Sequence, residues 1–147
     1  MNTPTRRLND TNYRELAAFR RELRRYLRWA EERAAEAGVT PAQHQLLLAI
    51  RAQGRQAAPT MGELAEELGL RHHSAVGLVD RAQSAGLVAR RADAADQRVV
   101  RVSLTDEGRR CLRRLAGLHV AELGRLGAQI QEFSRFDLDE ESDERPG

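Results

Sequence analysis

The most restrictive stretch of this sequence is Thr60–Leu104, where the hydrophobic period changes from helical to alternating with very little chain between. Met61, Leu64, Ala65 and Leu68 share one helical face, which Gly69 terminates. A second helix starts two or three residues later in LRHHSAVGLVDR (Leu70–Arg81), with Ala75, Leu78, Val79 and Ala82 on one face. After Gly86 the pattern alternates. Leu87–Arg91 and Arg98–Leu104 read as strands, with Val100, Val102 and Leu104 directed inward. The six residues between them, Ala92–Gln97, carry Asp93 and Asp96 and make the pair a hairpin. Two short helices on a glycine-containing turn, followed by a basic hairpin, form the plan of a winged helix-turn-helix.

Strong start and stop signals frame this segment. Thr40-Pro41-Ala42-Gln43 offers an N-cap threonine, a proline at the first helical position and a glutamine at the third. Leu46, Leu47 and Ile50 supply that helix's buried face, and Gly54 closes it. Thr60 and Glu63 have capping-box spacing, and Thr105-Asp106-Glu107 opens the last helix with acids where the helix dipole favours them. The outer helices are long. Tyr13, Leu16, Leu23, Leu27, Ala30 and Ala34 mark a helix from about Asn9 to Ala37, ended by Gly38. At ~28 residues it would be ~42 Å long, more than one small core can cover. Leu112, Leu115, Leu118, Leu123, Leu126, Ile130 and Phe133 form a similar stripe near the other end. Part of both stripes is expected to meet a second copy of the chain.

The 147 residues fit one domain able to bury a core without metals or disulfides. No apolar run approaches the ~20 residues of a membrane span, no secretory leader is evident, and the single cysteine, Cys111, suits a reducing cytoplasm. The formal charge of +2 is uninformative, but its distribution is not. Residues 137–144 hold six of the 22 acids, and the first 136 residues carry 23 basic against 16 acidic side chains. A basic body with a solvated acidic tail fits a polyanion-binding domain. All 24 basic residues are arginine, which suits phosphate and guanine contacts but equally follows from codon bias.

The major groove of duplex DNA admits one helix that can read base edges. A hairpin tipped with arginine can reach the adjacent minor groove, where negative potential concentrates. Arg71, Arg81, Arg90, Arg91, Arg98 and Arg101 face only Asp80, Asp93 and Asp96 in this stretch, with His72 and His73 on the outward side of the second helix. The segment from Thr60 to Arg110 also resembles the MarR family, the multiple antibiotic resistance regulators. ELAEELGL, LVDR, GLV, D-x-R and SLT-x-x-G appear in order, and with the outer helices the resemblance covers roughly residues 10–135.

The resemblance implies a mainly α fold with a small β-hairpin wing and long N- and C-terminal dimerisation helices, about 10–37 and 105–135. Between them would lie a DNA-binding lobe at about 40–104, all in one domain of residues 1–147; the charge run at 137–147 reads by itself as an acidic, disordered tail. It implies a cytoplasmic homodimeric repressor, relieved by a ligand or an oxidant, on half-sites about 34–36 Å apart in double-stranded DNA. His73, Ser74, Val76 and Gly77 match positions that face DNA in the family. Asp96 and Arg98 match its wing pair, in which the acid orients the arginine, and Thr60 would offer its hydroxyl and helix N-terminus to a phosphate. Many relatives have a long polar or basic residue where this chain has Gly77, which shifts more of the readout to Arg71, His72 and His73. Arg81, Arg90 and Arg91 complete the expected DNA-binding set.

Other residues admit two readings. His72 and His73 are adjacent and cannot form an i, i+4 metal pair; DNA contact and solvent exposure remain for them. Phe19, Tyr26, Trp29 and His44 are weak candidates for binding a small aromatic effector, against packing in a core or interface, and His119 falls in the same class. Cys111 stands among Arg109, Arg110, Arg113 and Arg114, which would favour a thiolate, but no second cysteine could resolve a sulfenic acid within one subunit; packing is the expected role and redox sensing the alternative. No P-loop, GxSxG, zinc spacing or triad is present, so neither an enzyme nor a cofactor is expected, and no membrane partner. A winged-helix protein-interaction module is the competing functional reading.

Overall fold

The computed structural model describes residues 8–54 and 56–134; the acidic tail lies outside the described residues, as do the side chains of Phe133 and Ser134. The elements in chain order are α1 (Asp10–Glu36), α2 (Pro41–Gln53), α3 (Met61–Glu67), α4 (His72–Ser84), β1 (Val88–Ala92), β2 (Val100–Leu104) and α5 (Asp106–Ser134). The architecture is mainly helical with a two-stranded antiparallel hairpin. Among the described residues, no helix is long and apolar enough to cross a membrane.

Residues 29–120 form one compact unit. Its core gathers Leu46 and Leu47 of α2, Leu64 of α3, Leu78 and Val79 of α4, Val88 and Val102 of the hairpin, and Cys111 and Leu115 of α5. Both expected capping boxes form. Thr40 Oγ1 accepts from Gln43 N–H at 3.1 Å and Thr60 Oγ1 from Glu63 N–H at 3.1 Å, each reciprocated by the N3 side chain. Between α3 and α4, Gly69 adopts φ +63°, and the Leu70 N–H closes back on the Ala65 carbonyl at 2.9 Å. That left-handed residue reverses the chain within four residues, which is why two helices fit so close in sequence.

The hairpin pairs Val88 with Leu104 through Ala92 with Val100, leaving a seven-residue loop, Asp93–Val99. The strands were expected to start one or two residues earlier, with a six-residue loop. The difference has a cause. Asp93 Oδ2 accepts from the N–H groups of Ala95 and Asp96, and Asp96 Oδ1 from that of Arg98, so these donors serve a local turn rather than the ladder. The inward alternation is also narrower than expected: Val102 is fully buried, whereas Val100 and Leu104 are half-buried. The three share one face of the strand, with Leu104 packed against the edge of the core.

The second compact unit holds the described parts of residues 1–28 and 121–147, so α1 and α5 each contribute to both units. Asn9 and Asn12 cap α1 reciprocally, each side-chain oxygen taking the other's backbone N–H at 2.9 Å. Glu22, Arg25, Glu122 and Arg125 form an ion-pair network, with Arg25 Nη2 2.8 Å from Glu122 Oε1. Leu126 is buried, but Tyr13, Leu16, Leu23, Leu123 and Ile130 remain exposed. They lie on the apolar stripes of which a part was expected to meet a second copy. One chain alone leaves them in solvent.

Candidate nucleic-acid interface

Burial of Ala75, Leu78, Val79 and Ala82 fixes how α4 is rotated, and the opposite face turns outward. Arg71, His72, His73, Ser74 and Arg81 are exposed, and Val76 and Gly77 are half-buried at the edge of the core. Arg71 occupies the N-cap of α4 but makes no side-chain cap bond. The leading N–H groups of this 13-residue helix are therefore uncapped, beside an arginine, where an anion is favoured. The N-terminus of α3 differs. Thr60 is engaged with Glu63 N–H, and the Glu63 carboxylate accepts from Thr60 N–H at 3.3 Å. A phosphate there would meet a resident negative charge, so α4 offers the better anion site. Nothing in the family pattern singled it out.

The hairpin tip is built around two aspartates. Arg98 projects with its side chain 91% exposed, gripped by Asp96 through Nε–Oδ1 at 3.1 Å and Nη2–Oδ2 at 3.3 Å. The Arg98 hydrogen bonds, from side chain and then backbone, hold the Asp96 carboxyl below the usual carboxylate range. Asp93 is lowered as well, first by Arg101 and then by the N–H groups of Asp96 and Ala95. Arg101 Nη1 also donates to the Ala58 carbonyl at 2.6 Å, and Val102 N–H to the Pro59 carbonyl at 2.9 Å. The hairpin is thus fastened to the segment leading into α3. Asp93 and Arg101 organise the wing, a role that sequence reasoning missed because their bond spans eight residues.

The arginines divide into two groups. Arg90 is half-buried and reaches Asp80 at 2.6 Å, Gln83 Oε1 at 2.7 Å and the Val76 carbonyl at 3.3 Å. Arg90 and Arg101 are structural ties, whereas Arg71, Arg81, Arg91 and Arg98 are exposed. Between α4 and the hairpin lies a groove of about 510 Å³ whose walls include Thr60, Met61, His72, Val76, Arg98 and Val99.

The effector candidates divide between the two compact units. Within residues 29–120, buried His44 packs on His119 with centroids 4.7 Å apart, and Trp29 meets His119 edge-on at 4.9 Å. Burial lowers both histidines, and His119 lowers His44 further. Phe19 and Tyr26 belong to the other unit. There Phe19 lines a cavity of about 240 Å³ with Glu15, Ala18, Glu22, Gln129 and Glu132. Burial, followed by Glu122, raises the Tyr26 hydroxyl. Cys111 is 1% exposed, and burial pushes its thiol up more strongly than Arg114 lowers it. The flanking arginines alone would favour a thiolate, and burial overrides them, in line with a packing role.

Helix, turn, helix and a buttressed basic hairpin define a winged helix-turn-helix protein. The sequence model of the MarR family matches residues 37–99. The chain is similar to AbsC of Streptomyces coelicolor, a MarR family transcriptional regulator, at 22% identity over 90% of this chain and 91% of that one, with a TM-score of 0.71. It is also similar to the M. tuberculosis transcriptional regulator MOSR in complex with DNA, at 26% identity over 77% and 80%, TM-score 0.59. A third likeness is to the S. aureus MepR–DNA complex, at 19% identity over 77% and 81%, TM-score 0.66. No curated relative matches in sequence. Over residues 37–99 the chain is thus similar to the MarR family, and the solved structures share its winged helix-turn-helix fold.

Proposed function

We propose that this chain is a DNA-binding transcription regulator that acts as a homodimer and represses from a pseudo-palindromic site. The observation that carries the reading is the contrast among the arginines. Arg90 and Arg101 are consumed in holding the wing, while Arg98 is oriented by Asp96 yet almost wholly exposed, on the same lobe as the exposed Arg71–Ser74 face. An arginine held rigid in solvent makes little contribution to folding; it suits a minor-groove contact. The uncapped start of α4 suits a phosphate, and His73, Ser74 and Gly77 belong to the face directed at base edges. The DNA complexes of the structurally similar MOSR and MepR support the same assignment.

Dimerisation rests on Tyr13, Leu16, Leu23 and Leu27 of α1 and Leu118, Leu123 and Ile130 of α5, all exposed in one chain. A second copy would cover them. On this reading residues 1–147 are one cytoplasmic regulator, and a small effector, aromatic in character, modulates it.

The test is a gel-shift titration against DNA flanking the chain's own gene, with salt varied and a scrambled competitor present. Saturable, competitor-resistant binding with a steep salt dependence is expected. Equal affinity for scrambled DNA would remove sequence specificity, and no binding would favour a protein-interaction module.

A further inference from the structure

Gly77 sits one helical turn before Arg81 on the outward face of α4, and a β-carbon at Gly77 would lie 3.4 Å from Arg81 Nη1. The guanidinium therefore occupies the space that a side chain at position 77 would take. Its direction follows from helix geometry: Cα–Cβ bonds tilt toward the N-terminus, so a long side chain at position 81 covers the turn before it. His73, Gly77 and Arg81 fall at i, i+4 and i+8 on one row of the helix. The residue after Gly77 that could draw the arginine aside is Asp80, and its carboxylate is held by Arg90 at 2.6 Å. Among the described residues, no ion pair or hydrogen bond restrains Arg81.

We infer that Arg81 is a specificity-determining residue that reads a base through the gap left by Gly77. The inference rests on the DNA-binding reading above and assigns a chemistry to one point of that surface. Arg81 starts ~12 Å along the helix from His73 but leans back by about one ~5.4 Å turn. Its planar fork then falls within the N-terminal half of α4, the part of such a helix that contacts base edges. The partner that presents two acceptors to a guanidinium fork in the major groove is guanine, through O6 and N7. Gly77, which as a helix-interior glycine lowers helical propensity, is in this view what admits the arginine.

Selection of binding sites from a randomised duplex pool tests the inference, using the wild type, Arg81→Ala, Arg81→Lys and Gly77→Leu. The wild type should enrich a consensus with one guanine per half-site whose preference disappears in both Arg81 variants. Loss on that consensus should be roughly 5- to 150-fold. Arg81→Lys keeps the charge and loses the fork, so it should retain the salt dependence while losing the guanine. Gly77→Leu fills the gap and should lose the same guanine with the fold intact by circular dichroism. A consensus unchanged by Arg81→Ala, or weakened equally on every sequence, overturns the inference and leaves the DNA-binding reading standing. If the wild type itself enriches nothing, both fall.

Discussion

The carbonyl oxygen of Leu87 lies 2.0 Å from the point that a β-carbon on Gly108 would occupy. The first turn of α5 is thus seated on the peptide that leads into the hairpin. The same peptide accepts from Thr105 N–H at 3.1 Å, while Thr105 Oγ1 donates to the Gly86 carbonyl at 2.6 Å and accepts from Gly108 N–H at 3.1 Å. Three polar contacts and one missing side chain lock α5 to the end of the α4–β1 connection.

Gly108→Ala must open that junction. A loss of about 1–3 kcal/mol or more is expected, the range of an overpacked core site. It would be read as a lower urea midpoint at unchanged slope. An unaltered midpoint would show that the junction relaxes freely.

Arg90→Ala and Arg98→Ala remove the same charge and should behave differently. Arg90→Ala frees Asp80, Gln83 and the Val76 carbonyl, so stability should fall by about 1 kcal/mol. Arg98→Ala leaves the fold intact, since among the described residues its side chain pairs with Asp96 alone, on the same loop. It should weaken binding to all sequences and lower the salt slope by about 1 for each wing engaged. Salt-dependent fluorescence anisotropy beside urea unfolding separates the two.

His44 and His119 give the lobe a pH dependence whose sign is fixed by burial. Both are lowered in the fold, so as pH falls through about 6.5 the unfolded chain takes up protons first. Stability is complete above that pH and declines as the solution acidifies toward the lowered folded values. The urea midpoint should drop between about pH 7.5 and about pH 5, and His44→Gln or His119→Gln should flatten the slope. A wild-type midpoint constant across the range would contradict the packed pair.

Cys111 should be inert. A thiol that is buried and raised presents little thiolate. Alkylation by iodoacetamide should be far slower in the native protein than in urea, and DNA affinity should be unchanged by mild peroxide. Rapid native labelling would restore a redox role.

Much of this protein is legible locally. Thr40 with Gln43 and Thr60 with Glu63 cap across three residues, Gly69 stops α3 by its own conformation, and the buried row of α4 is a four-residue period. Interactions that short leave their mark in residue type and spacing. Asp96 with Arg98 was implied by the family resemblance alone, and the fold pairs them two residues apart.

The arginines were not. Arg90, Arg91, Arg98 and Arg101 are one residue type in one short stretch, and composition treats them alike. Folding divides them by bringing Asp80 to Arg90 and Ala58 to Arg101, partners 10 and 43 residues away. Likewise the stripes of α1 and α5 announce apolar faces, but only packing shows that Leu112, Leu115 and Leu126 are buried while Leu16, Leu23 and Ile130 stay in solvent. The sequence by itself determined where the helices begin and that a hairpin follows them, because caps and periods act over a few residues; the strand ends were set by the turn that Asp93 and Asp96 organise. Which charges are spent on the fold and which remain for a ligand was decided by tertiary structure, because a charge is neutralised by what lies near it in space.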